Sequence, residues 1–144
     1  MDSTQLSKEL IEFMINMKKE TKAYLNSNIS LKLTEQQFIT LFILNKNSKI
    51  SLKKLSTYIN VSTSSLCIML TRMMEEGLVY REVDEKDRRN TFYGLTAQGI
   101  NLIHKEIKEK VDTVEEKIIN LSSNEKERLY KSIKIIEEIM DLLE

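Results

Sequence analysis

Proline is absent from this 144-residue chain, and glycine occurs only three times. Little therefore interrupts a helix, and the abundance of Leu, Ile, Lys and Glu points to a mostly α-helical protein. A single cysteine, Cys67, excludes an intramolecular disulfide framework and suits a reducing compartment. The N-terminus bears Asp2 and Glu9 where a signal peptide would carry an apolar segment. No apolar run approaches the roughly 18 residues of a membrane span. The expectation is a cytoplasmic protein without membrane contact. The one histidine, His104, has no second His or Cys near it and makes no metal site. A glycine-rich phosphate loop is also missing, so no catalytic residue, metal or cofactor is expected.

Net charge is zero, from 22 basic and 22 acidic side chains. Zero overall argues against a nucleic-acid partner; the distribution argues for one. Residues 1–44 carry five of each sign, residues 45–99 nine basic and six acidic, and residues 100–144 eight basic and eleven acidic. The middle of the chain thus holds an excess of +3, and the C-terminal part −3.

Residues 3–26 read as a long helix with Leu6, Leu10, Phe13, Met17 and Tyr24 on one side, ended by the polar break Asn26-Ser27-Asn28. Thr34 and Gln37 fit a capping box that starts a second helix, with Phe38, Leu41, Phe42 and Leu44 on its apolar face. Aromatic residues at such spacing read as core. Asn45 to Lys49 is a turn, and Lys49-Ile50 is placed as a very short strand. Ser51 caps a third helix over Leu52 to Ile59, in which Leu55 and Ile59 pack inward. Ser62 to Glu76 is a fourth helix, with Leu66, Met69, Leu70, Met73 and Met74 at the spacing of a buried face. Gly77 ends it. Two runs of β-branched and aromatic residues follow, Leu78 to Val83 and Thr91 to Leu95, joined by a polar tip, Asp84 to Asn90.

From Thr96 to Leu121 the spacing predicts a long helix, with Ile103, Ile107, Val111, Val114, Ile118 and Leu121 at steps of three and four. Ser122 and Glu125 form a second capping box. Beyond it Leu129, Ile133, Ile136, Met140 and Leu143 repeat four-three-four-three, the spacing of a heptad seam. Such seams, together with the N-terminal helix, carry more apolar surface than one chain hides, so a homodimer is expected, the alternative being a seam that closes within one chain.

A helix followed at once by a small hairpin with a basic tip outlines a winged helix-turn-helix. The residues that make the outline specific are Leu33-Thr34-Glu35-Gln36-Gln37, Leu55, Val61-Ser62, Ser65-Leu66, Arg72, Gly77-Leu78-Val79, Asp87-Arg88-Arg89 and Thr96-x-x-Gly99. In these motifs and their spacings, over about residues 31–99, the chain resembles the MarR family of bacterial transcription regulators. The resemblance implies a mostly α fold with a small β-wing. It implies one MarR-like domain over 1–144, with a winged lobe at about 31–99 and dimerisation helices at about 3–27 and 100–143. It also implies a homodimer on double-stranded DNA, acting as a repressor and released by a small-molecule effector whose identity stays open.

The residues placed on DNA are Ser62, Thr63, Ser64, Ser65, Ile68, Thr71 and Arg72 of the fourth helix, and Lys53 and Lys54 of the third. Arg88 and Arg89 join them at the wing tip, with Asp87 expected to orient an arginine through a paired hydrogen-bond fork. A helical wheel turns Ser64, Ile68, Thr71 and Glu75 outward, with Cys67 on the flank. That face carries no Arg, Lys, Asn or Gln, the side chains that make bidentate contacts to G or A. An A·T-leaning pseudo-palindrome is expected, with the arginines in a narrow minor groove. The alternative is a winged-helix protein-interaction module that has lost strong DNA binding, which the bare face and zero net charge keep open.

Overall fold

Hydroxyl side chains fix where four of the helices begin. The side chains of Thr34, Ser51, Ser62 and Ser122 accept the backbone N–H of Gln37, Lys54, Ser65 and Glu125 respectively. Each satisfies a donor that the first helical turn would otherwise leave unpaired. At Thr34 and Ser122 the bond is reciprocated: Thr34 N–H donates to Gln37 Oε1 at 2.8 Å, and Ser122 N–H to Glu125 Oε2 at 2.8 Å. Both capping boxes expected from the sequence are present.

The computed structural model describes residues 1–26 and 33–143. The elements are α1 (Ser3–Asn26), α2 (Glu35–Lys46), β1 (Ile50–Ser51), α3 (Leu52–Ile59), α4 (Thr63–Glu75), β2 (Val79–Val83), β3 (Thr91–Leu95), α5 (Ala97–Ile118) and α6 (Ser123–Asp141). The side chain of Tyr24 and the break at Ser27-Asn28 lie outside the described residues. The chain divides into two compact units, Met1–Lys110 and Val111–Glu144, with the boundary inside α5.

In the first unit the fully buried apolar side chains come from α2 (Leu41, Leu44), α3 (Leu55), α4 (Leu66, Leu70, Met73) and α5 (Ile103). Ile50, Val79 and Tyr93 of the sheet, with Leu78 just before β2, close the same cluster. Phe38 and Phe42 stack with centroids 6.2 Å apart and pack against this core, with the ammonium groups of Lys110 and Lys46 over their rings at 4.8 and 4.9 Å. The sheet is antiparallel, in the order β1-β3-β2, with Tyr80 opposite Gly94 and Arg81 opposite Tyr93. Strand β1 lies one residue later than expected. Ile50 pairs with Tyr93, while Lys49 instead turns its ammonium to Glu82 at 3.1 Å and over the Phe92 ring at 5.5 Å. Helix α5 stops at Ile118, short of Leu121, whose N–H closes a turn on the Ile118 carbonyl at 2.9 Å.

The described side chains of α1 are exposed apart from the half-buried Leu10, and those of α6 are all exposed. The heptad residues Leu129, Ile133, Ile136, Met140 and Leu143 therefore form an uncovered stripe, as do Leu6, Phe13 and Met17 on α1.

Candidate nucleic-acid interface

Two tight connections hold α4. Before it, Asn60 takes a left-handed conformation (φ 57°), which asparagine tolerates better than most side chains. The Ser56 hydroxyl donates to the Val61 carbonyl at 2.6 Å and pins the turn. After α4, Gly77 (φ 74°) donates to the Met74 carbonyl at 3.0 Å and Leu78 to that of Met73 at 2.9 Å. This paired pattern lets a glycine end a helix while satisfying its last carbonyls.

A clasp then ties the end of α4 to the start of α5. Thr96 N–H donates to the Leu78 carbonyl at 3.1 Å, the Thr96 hydroxyl donates to the Gly77 carbonyl, and Gly99 N–H donates to Thr96 Oγ1 at 3.0 Å. A Cβ at position 99 would stand 2.0 Å from the Leu78 carbonyl oxygen, so only glycine admits this approach. The Gly77-Leu78 and Thr96-x-x-Gly99 motifs are two halves of one joint, and it sets where the wing leaves α4.

Helix α4 buries Leu66, Leu70 and Met73 and leaves Thr63, Ser64, Ser65, Ile68, Thr71, Arg72 and Glu75 exposed, with its cap Ser62. Cys67 is half-buried on the flank. Burial pushes the Tyr93 phenol above its ordinary range; the Cys67 thiol adds to this and Arg81 opposes it. Lys53 and Lys54 are exposed on α3. Exposed Tyr58 on α3 and Arg81 on β2 are additional surface groups near these elements that sequence reading passed over. Only Val79 of β2 is buried, so the strand gave no alternation to mark Arg81 as outward-facing.

The wing tip is closed by Asp84 N–H donating to the Asn90 carbonyl at 3.0 Å and Asn90 N–H to that of Asp87 at 2.9 Å. Asp87 has a different partner from the one expected. Its carboxylate accepts the backbone N–H of Arg89 at 3.0 Å, and it forms no guanidinium fork among the described residues. An aspartate two residues ahead of an amide closes a local turn at less entropic cost than it gathers a long side chain. Arg88 and Arg89 are exposed, and with Arg72 they have no ion pair among the described residues. Three guanidinium groups, two of them on a turn held from within, are thus free to meet an anionic surface.

The model of the MarR family matches residues 33–91, the span from the start of α2 into β3. The organic hydroperoxide resistance transcriptional regulator of Bacillus subtilis is 29% identical over 129 residues, covering 89% of this chain and 84% of that protein. The fold is that of MarR from E. coli in its apo form, with a TM-score of 0.76 at 24% identity over 88% of this chain and 96% of that one. A mutant of the same E. coli protein, complexed with operator DNA, superposes with a TM-score of 0.66 at 24% identity, covering 94% and 99% of the two chains. Among the described residues no helix is long and apolar enough to cross a membrane. The chain thus carries a region matched by the MarR family model on a MarR-like winged-helix fold, and the curated proteins it is similar to over most of its length are transcriptional regulators.

Proposed function

We propose that this protein is a homodimeric regulator, acting in the cytoplasm as a repressor, that binds an A·T-leaning pseudo-palindrome in double-stranded DNA. The carrying observation is an exposed α4 face accompanied by an exposed wing tip whose two arginines have no ion pair among the described residues. Helix α4 enters the major groove through Ser62, Thr63, Ser64, Ser65, Ile68 and Thr71. Arg72, Lys53 and Lys54 meet phosphates, and Arg88 and Arg89 enter a minor groove, where narrow A·T tracts hold the most negative potential.

The uncovered apolar stripes on α1 and α6 support the dimer, because a soluble chain rarely leaves contiguous apolar surface of this kind in water. Two copies would set their recognition helices about 34 Å apart on one face of the duplex. A small-molecule effector would act by favouring one separation of those helices over another, since a ligand that binds both states equally shifts nothing.

Selection of bound duplexes from a random pool tests the reading. Enrichment of an A·T-rich site with two-fold symmetry is expected. If no sequence is enriched, even at low salt, the interaction-module alternative takes its place.

A further inference from the structure

Ile68 stands with 61% of its surface in water near the middle of α4, flanked in sequence by buried Leu66 and Leu70. A β-branched residue there costs helix propensity and contributes nothing to the core. The hydroxyls around it are largely engaged within the helix. Thr71 Oγ1 donates to the Cys67 carbonyl at 2.8 Å, and the Ser62 hydroxyl, already accepting from Ser65 N–H, donates to Ser65 Oγ at 3.0 Å. Thr71 therefore offers the groove its methyl more readily than its proton. The centre of the outward face is hydrocarbon, bordered by Ser64 and the exposed Arg72.

A polar groove offers such a surface one complement. The C5-methyl of thymine projects into the major groove, whereas the other base edges there present donors and acceptors. We infer that Ile68, backed by the Thr71 methyl, reads the C5-methyl group of a pyrimidine, so that one base pair in each half-site is selected by a methyl contact. This rests on the DNA-binding reading above and adds its means of discrimination. Because the contact is to the methyl and not to the base-pairing edge, it extends to 5-methylcytosine: methylated cytosine at that position binds better than cytosine.

The test uses the full chain on its selected duplex, with each thymine replaced in turn by deoxyuridine. Loss of a buried methyl weakens binding about fourfold at one symmetric position per half-site. In Ile68→Ala, whose exposed site leaves the fold intact, the thymine and deoxyuridine duplexes bind equally at that position. Replacing the same pair by C·G and by 5-methylcytosine·G restores about fourfold in favour of the methylated base. A flat deoxyuridine scan overturns the inference, as does a penalty that persists in Ile68→Ala, or equal binding of the two cytosines. Failure to bind any duplex would instead remove the DNA-binding reading itself, and this inference with it.

Discussion

Replacing Gly99 by alanine loads the joint between recognition helix, wing and α5. The added Cβ would lie 2.0 Å from the Leu78 carbonyl oxygen, against 3.4 Å or more for ordinary contact, so the backbones must part by roughly 1.4 Å. Forcing a methyl group into a closed contact costs about 1–3 kcal/mol. The separation also strains the bonds from Thr96 N–H to Leu78 and from Gly99 N–H to Thr96, about 1 kcal/mol each. Alanine regains about 1 kcal/mol of helix propensity. The balance is a loss of roughly 2–4 kcal/mol, measured by urea unfolding followed by circular dichroism. DNA affinity falls further than stability alone explains, because β2 leaves α4 at a changed angle. A variant within about 0.5 kcal/mol of the parent would show that the close approach is not what holds the wing.

The double variant Arg88→Ala, Arg89→Ala should unfold at the parent's urea midpoint, since both side chains are exposed, while the slope of log affinity against log salt falls by about 3.6 for the dimer on its duplex, the loss of two cationic charges from each of two chains. An unchanged slope would remove the wing from the interface. Ile133→Glu with Ile136→Glu places charge on the α6 stripe and should shift the sedimenting species from two chains to one; persistence of the dimer would place its seam elsewhere. Hydrogen bonds from the Ser122 hydroxyl, then from the Ser122 backbone, hold the Glu125 carboxyl below the ordinary carboxylate range. Its contribution is therefore complete above the ordinary value and lost as pH falls through the depressed one. In an acid titration followed by helicity, Glu125→Gln should flatten that component, and an identical profile would argue against the box.

The capping boxes and the glycine stop were legible because each rests on bonds within five residues along the chain, and the buried face of α4 because its apolar residues recur at steps of three and four. The wing strands were legible from their β-branched and aromatic content. Asp87 was misread because an aspartate near arginines suggests an ion pair, whereas the competing backbone amide two residues on is visible only once the turn has closed. The Thr96 clasp joins residues 19 apart, and motif spacing names its members without revealing the bonds they make. Arg81 was hidden because a strand with only its first residue buried has no period to read.

Sedimentation of the purified protein with and without a symmetric A·T-rich duplex at low salt tests the whole account most directly. It predicts two chains in free solution and two chains on each duplex. A single chain at micromolar concentration that leaves the duplex unbound would contradict it.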